Sequence, residues 1–401
     1  MSAIDIPAQQ ARIRKCVHCG FCNATCPTYL LTGDELDGPR GRIWLMKDML
    51  ANPAAPPSPR AVRHLDRCLS CLSCTTTCPS GVDYARMVDA ARTQAEPTRP
   101  WAQRLTRRAL TALLSRRRLL RAGLHLGRVA RPFAPLLPAR LAAILALVPA
   151  HVPPAGAAES GDQPAPAAAA TGRVILHLGC VQPALRPAID DAALRLLGRH
   201  GVQVIVTRDA GCCGALHQHL GQADAAHARA AATLREWRAV GPVDAIITTT
   251  SGCGSVMKAW DDPLAAQVRD ISEYLASLPP LPTTIAPGTA VAWHNPCSLQ
   301  HGQRTTAARA RLEQAGFVVH DIAEAHLCCG SAGTYALLQP ELSGQLKSRK
   351  QAHITATGAR ILASSNIGCL TQLASPDWQA VHVVELLDWA SGGPCPLAPR
   401  S

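Results

Sequence analysis

From residue 173 onward the chain alternates short apolar runs with stretches of helical spacing, and it does so twice. Arg173–Leu178 is an apolar run that ends at a cysteine, and Ala188–Arg199 brings Ile189, Ala193, Leu196 and Leu197 onto one helical face. The β-branched run Val202–Val206, the Ala-rich Ala223–Val240 and the apolar Ala245–Thr249 predict a strand, a helix and a buried strand. The same order returns in Ala290–Trp293, Ala307–Ala315, Phe317–His320, Glu341–Thr357 and Arg360–Ala363. Strands that alternate with helices predict small parallel α/β units, with ligands at the strand ends. Upstream the pattern differs. Arg42–Leu50 and Val62–Arg67 read as helices, and Trp101–Val129 interleaves leucines with arginines as a basic amphipathic helix or helix pair.

Cysteine positions turn that recurrence into a duplication. Cys180, Cys212, Cys213 and Cys253 return as Cys297, Cys328, Cys329 and Cys369, displaced by 117, 116, 116 and 116 residues. His177 and His294 each stand three residues before a first cysteine, and Cys-Cys-Gly occurs at 212–214 and 328–330. Four cysteines in register twice establish an internal repeat. The division that follows is 1–96, rich in cysteine; 97–151, rich in Arg and Leu; 152–172, a Pro/Ala tract expected to be a flexible linker; and repeats at 173–288 and 289–401.

The first 96 residues hold two further quartets, Cys16-x2-Cys19-x2-Cys22-x3-Cys26-Pro27 and Cys68-x2-Cys71-x2-Cys74-x3-Cys78-Pro79. This is the two-cluster ferredoxin spacing, in which the fourth cysteine of each run ligates the other [4Fe–4S] cluster. That rule assigns Cys16, Cys19, Cys22 and Cys78 to cluster 1, and Cys68, Cys71, Cys74 and Cys26 to cluster 2. Structural zinc sites draw pairs of cysteines from separated positions, which this spacing does not fit. Two neighbouring clusters imply electron transfer.

With those residues in view, the C-terminal half resembles the cysteine-rich CCG domains of heterodisulfide reductase and related redox subunits. The whole chain is similar to the iron–sulfur subunit family of bacterial glycolate oxidase. Cys16-Val-His-Cys-Gly-Phe-Cys, Thr25-Cys-Pro-Thr-Tyr, Gly33-Asp-Glu-Leu-Asp-Gly-Pro-Arg-Gly-Arg-Ile and His326-Leu-Cys-Cys-Gly-Ser-Ala-Gly-Thr-Tyr-Ala-Leu carry the likeness, with Ala210-Gly-Cys-Cys-Gly-Ala and Ser251-Gly-Cys-Gly. The resemblance implies an α+β chain: an N-terminal α-helical ferredoxin-like module, then two tandem α/β CCG repeats with small parallel sheets. It also implies an electron-transfer subunit, not catalytic alone, that passes electrons from FAD-containing partner subunits oxidising glycolate to glyoxylate toward a membrane quinone. Lactate or glycerol-3-phosphate dehydrogenase subunits share the architecture, and a heterodisulfide-reductase-like catalytic subunit is the alternative of another class.

One departure bears on that alternative. Thr250 and Asn366 stand where the heterodisulfide reductase form has a fifth cysteine, so each repeat keeps four. Three readings of Cys180, Cys212, Cys213 and Cys253, and of Cys297, Cys328, Cys329 and Cys369, stay open: additional iron–sulfur clusters, thiol chemistry at the vicinal pair, or relics. His177 and His294 are expected to hydrogen-bond locally rather than to ligate. Cys395 has no counterpart in the repeat.

Composition narrows the remaining classes. With 17 cysteines in 401 residues, and with Met1–Arg14 polar rather than signal-like, metal and redox use in a reducing cytoplasm is expected rather than a disulfide framework. The net charge of +12 is local: eleven arginines and no acid lie between Pro97 and Arg140. Few aromatics and no recognition motif exclude nucleic acid as a partner. No GxGxxG follows a strand, so the chain has no dinucleotide site of its own. The apolar Leu141–Val148 is too short to span a bilayer, so any membrane contact is peripheral, on the inner face of the cytoplasmic membrane.

Overall fold

The structure is a computed structural model that describes residues 5–136, 145, 148–160, 171–207, 211–285 and 288–398. Most of the apolar run 141–148 and residues 161–170 of the expected linker lie outside the described residues. In the first repeat β1 (Gly172–His177), β2 (Val202–Thr207), β3 (Ala245–Thr248) and β4 (Val268–Asp270) form a parallel sheet of order β2-β1-β3-β4. The second repeat matches it with β5 (Ala290–Trp293), β6 (Val318–Asp321), β7 (Ile361–Ser364) and β8 (Gln379–His382), in the order β6-β5-β7-β8. Leu176 of the central strand β1 sits beside Val206 on one side and Ile247 on the other. The apolar runs Val174–Leu176 in β1 and Ala245–Ile247 in β3 fit central parallel strands covered on both faces.

The two repeats share one core. Helix Ala188–Arg199 packs on Val383–Ala390, and Ile271–Ala276 packs on Ala307–Gln314, so each repeat's first helix covers the other's last. Leu197, Ile247, Val291, Leu312 and Leu386 all belong to that single apolar cluster. Asp388, buried at the seam, receives Arg195 Nη2 at 2.6 Å and a second guanidinium from Arg199.

The N-terminal module is helical. Ile6–Arg14, Pro39–Ala51, Pro59–Asp66 and Tyr84–Ala95 pack around Met46, Leu65 and Val88. Two of these helices begin on proline, whose missing N–H is harmless in the first turn. Trp101–Leu114 and Arg117–Ala130 follow, a helix pair. Leu120 and Leu124 pack on Ala184 of the first repeat, and Arg107 lies between Glu96 at 3.0 Å and Asp66 at 3.8 Å. The flexible-linker expectation is corrected at its near end. Ala157–Ser160 is a docked helical turn in which Ala158 N–H donates to Asp191 at 2.9 Å and Glu159 accepts from Arg121 at 2.5 Å.

Candidate iron–sulfur sites

Both N-terminal cysteine loops turn through the left-handed region at matching positions. In the first run these are His18 (φ 55°) and Gly20 (φ 85°); in the second they are Ser70 (φ 52°) and Leu72 (φ 62°). Three of the four are not glycine, a strain that persists only where surrounding structure imposes it. The turns curl each loop around a void. One concavity of about 450 Å³, open to solvent beside the exposed Cys19, is lined by Cys16, Cys19, Cys22 and Cys78 together with Cys74. A second, of about 310 Å³, is lined by Cys26, Cys68, Cys71 and Cys74. Each void thus gathers three cysteines of one run and the fourth of the other. Soft thiolates from two separate segments facing one void fit an iron–sulfur cluster.

Burial raises the thiols there. Cys22 is pushed up to about 11, and Cys71 and Cys74 stand well above their ordinary range, with neighbouring thiols adding to the effect. Such thiols lose their protons when a metal replaces them. Cys68 goes the other way. Burial would raise it, but the Arg42 and Arg92 guanidiniums, the Ser70 N–H at 3.4 Å and the Tyr84 hydroxyl at 3.8 Å favour its thiolate and hold it below the usual value. Arg42 is itself buried; it donates to His64 O at 2.7 Å and Thr28 Oγ1 at 3.0 Å, and its Nη1 lies 3.9 Å from Cys26 Sγ. Nothing in the sequence reading singled out Arg42, although it lies within the Gly33–Ile43 phrase.

In the repeats the thiols meet in pairs at the strand ends. Cys297 and Cys328 Sγ are 3.9 Å apart, and Cys329 and Cys369 Sγ are 3.5 Å apart. The first repeat pairs Cys180 with Cys212, and Cys253 with Cys213, in the same pattern. The glycine of each Cys-Cys-Gly is needed: Gly214 (φ 80°) and Gly330 (φ 88°) lie so close to the helices Ala223–Val240 and Pro340–Thr355 that a Cβ would stand 2.8 Å from Ala226 O and 2.7 Å from Ser343 O. Cys212 is lowered to about 5 by its bond with Cys180, against burial, and by His217; Cys180 and Cys253 are raised by the same thiol–thiol bonds and by burial. At the positions of the absent fifth cysteine, Thr250 Oγ1 donates to Gln182 at 2.9 Å and Asn366 Nδ2 donates to Cys369 Sγ at 3.5 Å.

The histidine expectation needs correction. His177 and His294 are both buried, but neither nitrogen of His177 nor Nε2 of His294 has a hydrogen-bond partner among the described residues. Both stand at the C-terminal ends of the central strands β1 and β5, shut off from water. His177 instead stands edge-on to Trp237, ring centres 5.7 Å apart. Burial lowers His177 to about 4 and His294 to about 3, which keeps both imidazoles neutral. Cys395 is exposed and belongs to neither group.

The N-terminal module meets the second repeat at its cysteines. Cys71 shares an apolar cluster with Cys328, Leu69, Tyr335 and the half-buried Cys297. Tyr335 hydroxyl donates to Arg67 O at 3.1 Å, and Thr76 Oγ1 lies 2.8 Å from His301 Nδ1. Its contact with the first repeat runs through Gln218, whose Nε2 donates to Asp89 at 2.7 Å.

The comparisons with known proteins agree with this geometry. The 4Fe-4S dicluster domain matches residues 12–82, and the cysteine-rich CCG domain matches twice, at 174–258 and 291–374. The glycolate oxidase iron–sulfur subunit of Escherichia coli strain K12 is 38% identical over 397 residues, 94% of each chain. The chain belongs to the family of glycolate oxidase iron–sulfur subunits. The probable counterpart in Bacillus subtilis strain 168 is 28% identical over 96% of this chain and 95% of its own. Lactate utilization protein A of Shouchella clausii is 25% identical over 50% of this chain and 89% of its own. Membership accords with the α+β architecture seen here and with iron–sulfur clusters as the cofactors.

Proposed function

We propose that this chain carries electrons within a glycolate-oxidising complex, in which FAD-bearing partner subunits convert glycolate to glyoxylate and a membrane quinone is the final acceptor. The observation that carries the reading is the serial placement of the cysteine sites. The concavity beside exposed Cys19 adjoins the buried one through Cys74, and Cys71 of the buried one packs on Cys328 and Cys297. A bound [4Fe–4S] cluster supplies single-electron uptake and release. In this reading Cys16, Cys19, Cys22 and Cys78 hold cluster 1, and Cys68, Cys71, Cys74 and Cys26 hold cluster 2. The two repeats hold further centres through Cys180, Cys212, Cys213 and Cys253, and through Cys297, Cys328, Cys329 and Cys369. The segment boundaries after residues 96, 151, 172 and 288 mark its working parts. Thr250 and Asn366 in place of a fifth cysteine weigh against disulfide reduction as the activity.

The reading places the chain in the cytoplasm, on the inner face of the membrane. Among the described residues no helix is long and apolar enough to cross a membrane. The helix pair Trp101–Leu114 and Arg117–Ala130 instead exposes Trp101, Leu105, Leu119, Leu126 and Val129 beside Arg108, Arg116, Arg118 and Arg128. Exposed apolar side chains among arginines suit an anionic lipid surface.

The test is glycolate-dependent reduction of the chain's clusters in the assembled complex, followed by EPR. Wild type should show coupled [4Fe–4S] signals after glycolate is added. Cys19→Ser should lose about four irons per chain, one cluster of this type, and all electron delivery, while the partner still binds glycolate. Unchanged iron in that variant overturns the ligand assignment.

A further inference from the structure

We infer that His294 is a nitrogen ligand in the second repeat, so that this repeat holds its iron–sulfur centre through mixed thiolate and imidazole ligation while the first repeat uses thiolates alone. The inference rests on the proposal that the second repeat holds such a centre.

The geometry is direct. An imidazole nitrogen of His294 and the Sγ atoms of Cys329 and Cys369 all lie within 4.8 Å of one another. His294 is 2% exposed, and its Nε2 has no hydrogen-bond partner among the described residues. A buried polar nitrogen left unpaired is destabilising, because it loses its water partner and gains none. Coordination to a metal among the thiols removes that cost. Asn366 does not fill the vacant ligand position: its side-chain amide nitrogen donates to Cys369 Sγ, an interaction that supports a thiolate from outside the metal. The buried Lys350 ammonium, held by Glu324 O at 2.6 Å, adds a positive charge near Cys328, Cys329 and Cys369 that suits a thiolate-rich centre.

The first repeat shares the buried, unpartnered histidine but differs in what surrounds it. His177 is held edge-on by Trp237, a ring contact that His294 lacks among the described residues, and it forms no such group with Cys213 and Cys253. His217 beside Cys212 and Lys350 beside Cys328 have no counterparts in the other copy: the residues 116 positions away are Gly333 and Leu234. Exchanging thiolate for imidazole raises the potential of an iron–sulfur centre, as in Rieske sites. A higher potential suits the second repeat, which lies beyond Cys71 and the two N-terminal voids.

The experiment is pulsed EPR (ESEEM) on the anaerobically purified full chain, poised at a series of potentials. Wild type and His177→Ala should show ¹⁴N coupling typical of a ligating imidazole, and His294→Ala should lose it. The midpoint potential of one centre should also fall in His294→Ala. Wild-type chain labelled with ¹⁵N-histidine gives the same answer without a substitution: the ¹⁴N pattern should be replaced by a ¹⁵N doublet. Coupling that survives in His294→Ala, or that is absent from wild type at every potential, overturns the inference. Cys329→Ser separates this from failure of the underlying proposal. If it loses iron while His294→Ala changes nothing, only the ligand is wrong; if it loses no iron, the second repeat holds no centre.

Discussion

Arg42 is 1% exposed, and each of its three guanidinium nitrogens has a partner. Its Nε and Nη2 bond His64 O and Thr28 Oγ1, its charge faces Asp37 at 3.6 Å, and Nη1 approaches Cys26 Sγ. Lysine cannot replace this, because a point charge does not reach three directions at once. Arg42→Gln is expected to destabilise the module by about 3 kcal/mol, the usual loss when one partner of a buried ion pair is removed. Asp37 keeps His64 and Arg67, which places the value at the low end of that range. The same change removes a cation from beside Cys26 and Cys68, so it should lower the midpoint potential of one N-terminal cluster and leave the other unmoved. Thermal unfolding and an EPR-monitored redox titration check the two halves; equal shifts of both clusters would show that Arg42 acts through the fold instead. Sequence made the eight cysteines plain because the proposed cluster ligation would fix their spacing within a local loop. It could not show Arg42 as more than part of a family phrase, because Cys26, Thr28 and His64 reach it only through tertiary packing. His301 and Lys350 escaped for the same reason.

At the scale of elements, helical spacing located Trp101–Leu114 and Arg117–Ala130 but could not tell inward from outward arginines. Arg107 is buried between Glu96 and Asp66, and Arg117 Nε donates to Gly179 O at 3.1 Å and faces Glu159. These two are structural. Arg116, Arg118 and Arg128 are exposed, and they test the proposed lipid contact without disturbing the core. Each juxtamembrane arginine contributes about 1 kcal/mol to attraction by an anionic surface, so replacing all three by Gln should weaken sedimentation with anionic vesicles by roughly a hundredfold. Binding should also fall with salt. Unchanged binding would assign the face to a partner subunit. The strands show the converse limit. β4 (Val-Arg-Asp) and β8 (Gln-Ala-Val-His) escaped the reading because polar and charged residues interrupt them, whereas the equally short β3, β5 and β7 are apolar runs. A signal was present beside one of them: Asp270 and Glu273 form a capping box that opens helix Ile271–Ala276.

For the whole molecule, the duplication was legible and its consequence was not, since a repeat of 116 residues does not say that the copies share a core. His382 marks where they join. It is fully buried, its Nδ1 accepts from Val384 N–H at 3.1 Å, and its Nε2–H donates to Thr249 O of the other repeat at 2.8 Å. That pair of bonds requires the neutral ring; a second proton would point at the Val384 N–H. Burial first, against the Thr249 carbonyl and helped by Arg186, lowers its pKa from 6.5 to about 4. Because the unfolded chain binds this proton and the folded chain does not, the stability contribution is full above pH 6.5 and is lost as pH falls toward 4. Between pH 7 and pH 4.5 the loss is about 2.5 kcal/mol. Urea unfolding at the two pH values, in wild type and His382→Gln, isolates the residue from every other acid-sensitive group. Wild type should lose about 2.5 kcal/mol more than the variant. Equal losses would mean that His382 takes up its proton in the folded chain as readily as in the unfolded one.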